Sequence, residues 1–157
     1  MLRSAEKKDI PRIMELLRQV NDVHAVGRPD LFVKGHTKYT EEELVGIISN
    51  PDTPVFVFTD EEDRLSGYCF CIVQDHTADK HLAPVKTLYI DDLCVDSICR
   101  GQQVGSRLYD FVKEFARRNG FYNVTLNVWS ENPGAIAFYQ AIGLKPYKIG
   151  MEEILGI

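Results

Sequence analysis

The chain has 157 residues, 45% hydrophobic and 26% charged, with a net charge of −5 at neutral pH. That is the make-up of one soluble domain with enough apolar material for a core. The acidic balance argues against nucleic acid as a partner, which wants a basic face, and no run approaches the ~20 apolar residues of a membrane span. The first nine residues lack the apolar centre of a signal peptide, so a cytoplasmic location is expected.

Residues 2–5 read as a short strand. Asp9-Ile10-Pro11 then opens a helix, with an acidic cap and a proline in the first turn. Ile10, Ile13, Leu16, Leu17 and Val20 fall on one stripe of it. Residues 24–39 are polar and contain Gly27, Pro29 and Gly35, as a mobile connection would. Thr40-Glu41-Glu42-Glu43 has the spacing of a capping box for a second helix, which Asn50-Pro51-Asp52 ends. Strands are predicted over 55–59 and 65–74, joined by the acidic turn 60–63, a solvated hairpin tip rather than a metal site. A central strand over 86–95 follows the loop 75–84. Then come a tight loop, a helix from Val104, a strand ending at Trp129, another helix, and a last strand in the tail 144–155. Cys69, Cys71, Cys94 and Cys99 form no Cys-x-x-Cys pair, and His24, His36, His76 and His81 form no ligand set. The cysteines read as free thiols, with no metal expected.

Arg100-Gly101-Gln102-Gln103-Val104-Gly105-Ser106 lies between that central strand and the helix. A strand feeding a tight loop into a helix start makes an anion site, because the first helical N–H groups have no intrahelical partner and the macrodipole is positive there. Gly105 lets an anion approach the backbone, and Gly101 can take a positive φ. A P-loop would end in Gly-Lys-Ser/Thr, which occurs nowhere here. A Rossmann fingerprint needs Gly-x-Gly-x-x-Gly, whereas the spacing is Gly101-x-x-x-Gly105. Farther on stands Asn132-Pro133-Gly134-Ala135-Ile136-Ala137-Phe138-Tyr139-Gln140-Ala141-Ile142-Gly143-Leu144.

The two segments, in this order, resemble the two signatures of the GNAT N-acetyltransferase superfamily. The first family pattern, Arg/Gln-x-x-Gly-x-Gly/Ala, falls on Arg100, Gln103 and Gly105, with Gln103 where the family usually has its first glycine. The second, Asn-x-x-Ala-x-x-Phe-Tyr-x-x-x-Gly-Phe, is matched everywhere except Leu144. The resemblance covers essentially the whole chain. It implies an α/β (α+β) fold in one GNAT-type domain spanning 1–157, with a mixed, mostly antiparallel sheet, splayed fourth and fifth strands, and four flanking helices. The implied order is β-α-α-β-β-β-α-β-α-β. The implied activity is direct transfer of an acetyl group from acetyl-CoA, the cosubstrate, to a primary amine. A small-molecule amine is the first reading and a protein lysine or N-terminus the second. A non-catalytic acyl-CoA-binding module is the reading from a different class. Pairing into a homodimer is an expectation by analogy alone.

By the same resemblance, the backbone of Leu93, Cys94 and Val95 pairs with the pantetheine arm, and one of its N–H groups polarises the thioester carbonyl. Arg100, Gly101, Gln102, Gln103, Val104, Gly105 and Ser106 surround the diphosphate, and Arg107 is a further cation nearby. Asn132 bonds the pantetheine or serves as a plain N-cap, and both roles can hold together. Ala135, Phe138 and Tyr139 share a helix face by spacing, and the resemblance implies that Tyr139 stands beside the sulfur as general acid. Two adjacent carboxylates in an apolar strand, Asp91 and Asp92, are the candidates for the base. They resemble the acidic pair of the polyamine-acetylating branch, by which Asp91 takes the amine proton and Asp92 helps bind the cation. Strand alternation puts the two on opposite faces, so that one of them lines the amine pocket. The connection 21–39, with His24, Arg28, Asp30, Phe32 and Tyr39, is where acceptor recognition is expected.

Overall fold

The computed structural model describes residues 1–156, and the chain divides into two compact units, Met1–Asn127 and Val128–Ile157. The first unit contains β1 (Leu2–Ser4), α1 (Ile10–Gly27), α2 (Glu41–Ser49), β2 (Val55–Thr59), β3 (Leu65–Asp75), β4 (Lys86–Val95), α3 (Val104–Arg118) and β5 (Asn123–Leu126). The second contains α4 (Pro133–Ala141). No helix among the described residues is long and apolar enough to cross a membrane.

The five strands lie in chain order, β1-β2-β3-β4-β5. The first four are antiparallel, and β5 runs parallel to β4. That last ladder is short. It pairs Thr87 with Asn123 through Ile90 with Leu126, and β4 then continues alone on that side to Val95. β5 ends at Leu126, short of the Trp129 expected from the sequence, and leaves that side of β4 without a ladder from Asp91 onward.

One face of the sheet is covered by α1 and α2. Ile13, Leu16 and Leu17 of α1 and Leu44 of α2 pack with Val55, Val57, Tyr68 and Phe70. The stripe on α1 is the one its 3.6-residue period predicts. Thr40 caps α2 as its spacing requires, accepting from Glu43 N–H at 3.1 Å while the Glu43 carboxylate accepts from Thr40 N–H. Asp9 departs from expectation. Its carboxylate turns back to Glu6 N–H, at 2.8 Å, and to Arg3, so it closes the preceding 3-10 turn and leaves the α1 start without a side-chain cap. The hairpin tip is tied down by its own ions, with Asp60 accepting from Arg64 and Asp63 paired to Arg3 and Lys8.

On the other face α3 comes very close to β3. A Cβ added at Gly67 would lie 3.0 Å from the Leu108 and Val104 side chains and 3.1 Å from the Cys94 carbonyl oxygen. Beside it the Phe56 ring meets Phe111 and Phe115, with centroids 5.3 and 5.0 Å away. This packing fixes where α3 begins, and with it the anion loop.

In the second unit Asn132 stands at the start of α4 and Gly143, at φ +106°, follows its end. The tail departs from expectation, because residues 144–156 form no strand. A strand needs a neighbour to accept and donate its backbone hydrogen bonds. Here no ladder forms among the described residues, and Tyr147, Ile149, Met151, Ile154 and Leu155 are exposed.

Candidate active site

The two carboxylates of β4 sit at a register break. Phe70 pairs with Asp92 and Cys71 with Ile90, so Asp91 is an extra residue with no Cα partner on β3. A bulge of this kind interrupts the strict alternation of side chains. Contacts show the consequence. Asp92 accepts from the Tyr68 hydroxyl at 2.6 Å, and Asp91 accepts from the Tyr39 hydroxyl at 2.6 Å. The Tyr39 ring stacks on Phe70 at 5.6 Å, and Phe70 meets Tyr68 edge to face at 4.9 Å. Three packed rings therefore hold both carboxylates on the face covered by α1 and α2. The expectation of opposite faces is corrected: alternation fails where the strand carries one residue too many.

The two acids differ in surroundings. Burial pushes the Asp92 carboxyl up to about 6; the Asp91 charge adds to the rise, while the Tyr68 hydrogen bond and the Lys38 charge oppose it. Asp91 is charge-compensated, with Lys38 Nζ at 2.7 Å from Oδ1 and the Tyr39 hydroxyl on Oδ2. Burial together with these anions holds both phenols above the ordinary tyrosine value, so they remain donors.

Beyond the bulge, Leu93, Cys94 and Val95 pair with β3 on one side and lie past the end of the β5 ladder on the other. The Cys94 thiol points into the protein, toward the Leu16 carbonyl at 3.7 Å, and burial pushes it up to about 12. Asp96 closes the strand end: it accepts from Arg12, Gln19 and Ile98 N–H, which together outweigh its burial and keep its carboxyl below the usual range.

The loop then takes two positive φ angles, +79° at Gly101 and +61° at Gln103. Gln103 is the N-terminal flank of α3 and makes no side-chain cap. The N–H groups of Val104, Gly105 and Ser106 fall in the first turn, where helix geometry provides no i−4 acceptor; the first intrahelical bond from the loop runs from Arg107 N–H to the Gln103 carbonyl. Arg100, Gly101, Gln102 and Gln103 are exposed. The donor set suits a diphosphate. Arg107 lies over the Phe58 ring at 4.7 Å.

In the second unit, Asn132 Oδ1 accepts from Ala135 N–H at 3.2 Å, an N-cap with Pro133 in the first turn. Phe138 and Tyr139 follow on α4 with their rings in edge contact at 5.2 Å.

The connection after α1 is pinned rather than loose. Asn21 donates to the Val33 carbonyl and Asp22 accepts from Gly35 N–H, both at 2.8 Å. Of the residues singled out there, Arg28 and Asp30 pair with each other, His24 contacts Phe32, and Tyr39 alone bonds a β4 carboxylate. Sequence reasoning missed Lys38 and Tyr68. For Tyr68 a signal existed: a phenol on a buried strand needs a partner, and the neighbouring strand has an acid. For Lys38 there was none, since a lysine in a polar connection reads as solvated.

A model of the acetyltransferase (GNAT) family matches residues 13–144. The chain belongs to this family. It is 27% identical over 108 residues to glucosamine 6-phosphate N-acetyltransferase of Arabidopsis thaliana, which covers 59% of this chain and 70% of that protein. It is 34% identical over 68 residues to the probable N-acetyltransferase camello of Xenopus laevis, covering 43% of this chain but only 31% of that protein. Among solved structures, a mutant of the BH1408 protein of Bacillus halodurans superposes with a TM-score of 0.93 at 26% identity, over 99% of both chains. An aminoglycoside acetyltransferase from an uncultured soil sample, in complex with sisomicin, gives 0.75 at 18% identity, over 100% of this chain and 95% of that one. The latter shows likeness of fold.

Proposed function

We propose that this chain is an acetyl-CoA-dependent N-acetyltransferase acting by direct transfer on a small cationic amine. The observation that carries the reading is the pair Asp91 and Asp92, held on one sheet face at the point where β4 leaves β5. Acetyl-CoA fits the groups present: the open backbone side of Leu93 to Val95 for the pantetheine, and the first-turn N–H groups of α3 for the diphosphate. Glucosamine 6-phosphate N-acetyltransferase, a relative at 27% identity, is named for an amino-sugar acceptor, which supports a small molecule over a protein.

An amine with a pKa of ~10 arrives protonated and cannot attack a thioester carbonyl. A carboxylate near neutrality is suited to remove the proton. Asp92, raised to about 6, meets that condition and is assigned the base, with Asp91 as the anchor for the ammonium. This reverses the roles that the resemblance alone suggests. The freed amine attacks the acetyl carbonyl, the C–S bond breaks, and the thiolate takes a proton from Tyr139, a phenol that stays protonated at neutral pH; the second proton shed by the acylated nitrogen goes to solvent, from which the phenolate is reprotonated. Asn132 supports the pantetheine while it caps α4.

The test is thiol release from acetyl-CoA against polyamines, aminoglycosides, amino acids and N-terminal peptides. Release with a small-amine class, abolished by Asp92→Asn, supports the reading. Release with peptides alone moves the acceptor to protein. Tight acetyl-CoA binding with no release leaves a binding module.

A further inference from the structure

Lys38 is a charged side chain with no place in the reaction described above, yet it makes the closest approach of any ammonium to the carboxylate pair. Its Nζ stands 2.7 Å from Asp91 Oδ1. The two ends of this contact are unlike. The Lys38 side chain is 48% exposed and the Asp91 side chain 11%. Lysine pays little to let go, since a half-exposed ion pair is weak and a long stem regains rotamer freedom in water. Asp91 cannot lose its cation so cheaply, because it is largely desolvated with a second carboxylate next to it. A weakly held cation on a carboxylate that needs one is an arrangement made for exchange.

Two further features favour exchange over a fixed structural bridge. Asp91 is anchored independently, by the Tyr39 hydroxyl on Oδ2, and the Tyr39 ring is fixed by Phe70, so the carboxylate keeps its aim when Lys38 leaves. The same anchor leaves a single oxygen open. One oxygen suits an ammonium, a compact point charge, and denies a guanidinium its bidentate fork. The other charged and titratable groups around Lys38 are Asp92, which feels its charge, and His24, held low by burial and by that same charge.

We propose that Lys38 is a displaceable internal ammonium that occupies the acceptor's position on Asp91, so that every acceptor binds by exchanging with it. The inference rests on the acetyltransferase reading for its acceptor. Lys38 thereby tunes specificity: it disfavours neutral acceptors, which would leave Asp91 uncompensated, and sets a threshold that only ammonium ligands can meet.

The experiment compares wild type, Lys38→Met and Lys38→Arg with n-butylamine and 1,4-diaminobutane as acceptors. Lys38→Met keeps the stem and removes the charge, so KM for both amines, read on the pH plateau above the Asp92 limb, falls roughly three- to fivefold, the effect of losing one half-exposed ion-pair competitor. Lys38→Arg retains a competing cation, though one less suited to a single oxygen, and shows a clearly smaller fall. An unchanged KM for acetyl-CoA in both variants reports an intact fold. A KM for amine that is unchanged or raised in Lys38→Met overturns the proposal, as does an equal fall in both variants. Should wild type release no thiol with any amine, the acetyltransferase reading fails on its own. The exchange is then read from calorimetric binding of n-butylammonium: tighter binding to Lys38→Met supports it and equal binding overturns it.

Discussion

Tyr68 donates its hydroxyl proton to Asp92 across the β3–β4 ladder at 2.6 Å, and that hydrogen bond works against the burial that raises the acid. Tyr68→Phe removes the one side-chain donor holding the carboxyl down, so its pKa rises from about 6. If Asp92 is the base, the acid limb of kcat/KM moves to higher pH in this variant, with the plateau retained. A limb that stays in place would exclude Asp92 from proton removal.

The same carboxyl has a consequence for stability. Its folded value, about 6, lies above the ordinary 3.8, so the folded state binds the proton more tightly than the unfolded state. Asp92 therefore destabilises the fold above pH 6, and this penalty is relieved as the pH falls through 6 and is gone below about 4. Two pK units correspond to about 3 kcal/mol as an upper bound, since Asp92 is not wholly enclosed. Asp92→Asn should unfold at higher denaturant than wild type at pH 7.5, by up to about 2 kcal/mol, with the gap closing near pH 4. Asp9, Asp63 and Asp96 act in the opposite sense: their lowered values contribute stability that is lost as the pH drops toward them.

Gln103 occupies the left-handed region at φ +61°, ψ +17°, which explains in backbone terms why glycine is usual at this place in the loop. A side chain there costs about 1 kcal/mol. Gln103→Gly should raise Tm by about 3 °C, the effect of that energy on a chain of this size. Its KM for acetyl-CoA should stay near wild type, because the first-turn N–H groups are untouched. A Tm that falls would show that the Gln103 side chain makes a compensating interaction.

Gly67→Ala tests the coupling of sheet to loop. The new methyl would meet the Cys94 carbonyl oxygen at 3.1 Å, and backbone cannot step aside as a flexible side chain can. The carbonyl contact presses on β4, and the contacts with the Val104 and Leu108 side chains at 3.0 Å press on the start of α3. Expected are a loss of about 1–3 kcal/mol in stability and a raised KM for acetyl-CoA. A stability loss with unchanged KM would mean that the loop is independent of the packing beneath it.

Local chemistry was legible in the sequence wherever one short segment decides the outcome. Thr40 and Glu43 cap α2 as written, the stripe from Ile10 to Leu17 is buried, and the loop at Gly101 turns at positive φ. What failed depends on partners distant in sequence. The bulge at Asp91 comes from the register of β3, which no alternation rule on β4 reveals, and it moved one carboxylate to the other face. Lys38 meets Asp91 across 53 residues of sequence, and the tail 144–156 has strand-like residues but no ladder. Asp9 was placed correctly and bonded elsewhere, because Arg3 and Glu6 N–H compete for the same oxygens.

Tyr139→Phe isolates the last proton transfer. The ring of Phe138 against Tyr139 and the cap of Asn132 on Ala135 N–H do not require the hydroxyl, so α4 should form unchanged. If the hydroxyl is the general acid proposed above, its removal typically costs 10²- to 10⁴-fold in rate. Turnover with the best amine should fall by about 100-fold or more, while acetyl-CoA affinity stays within about twofold of wild type. A thiol protonated by the phenol leaves a second mark: an acyl donor with a more acidic leaving thiol needs less help, so the variant should recover part of its rate with such a donor. Equal turnover in variant and wild type would remove Tyr139 from the mechanism and assign the thiolate's proton to water.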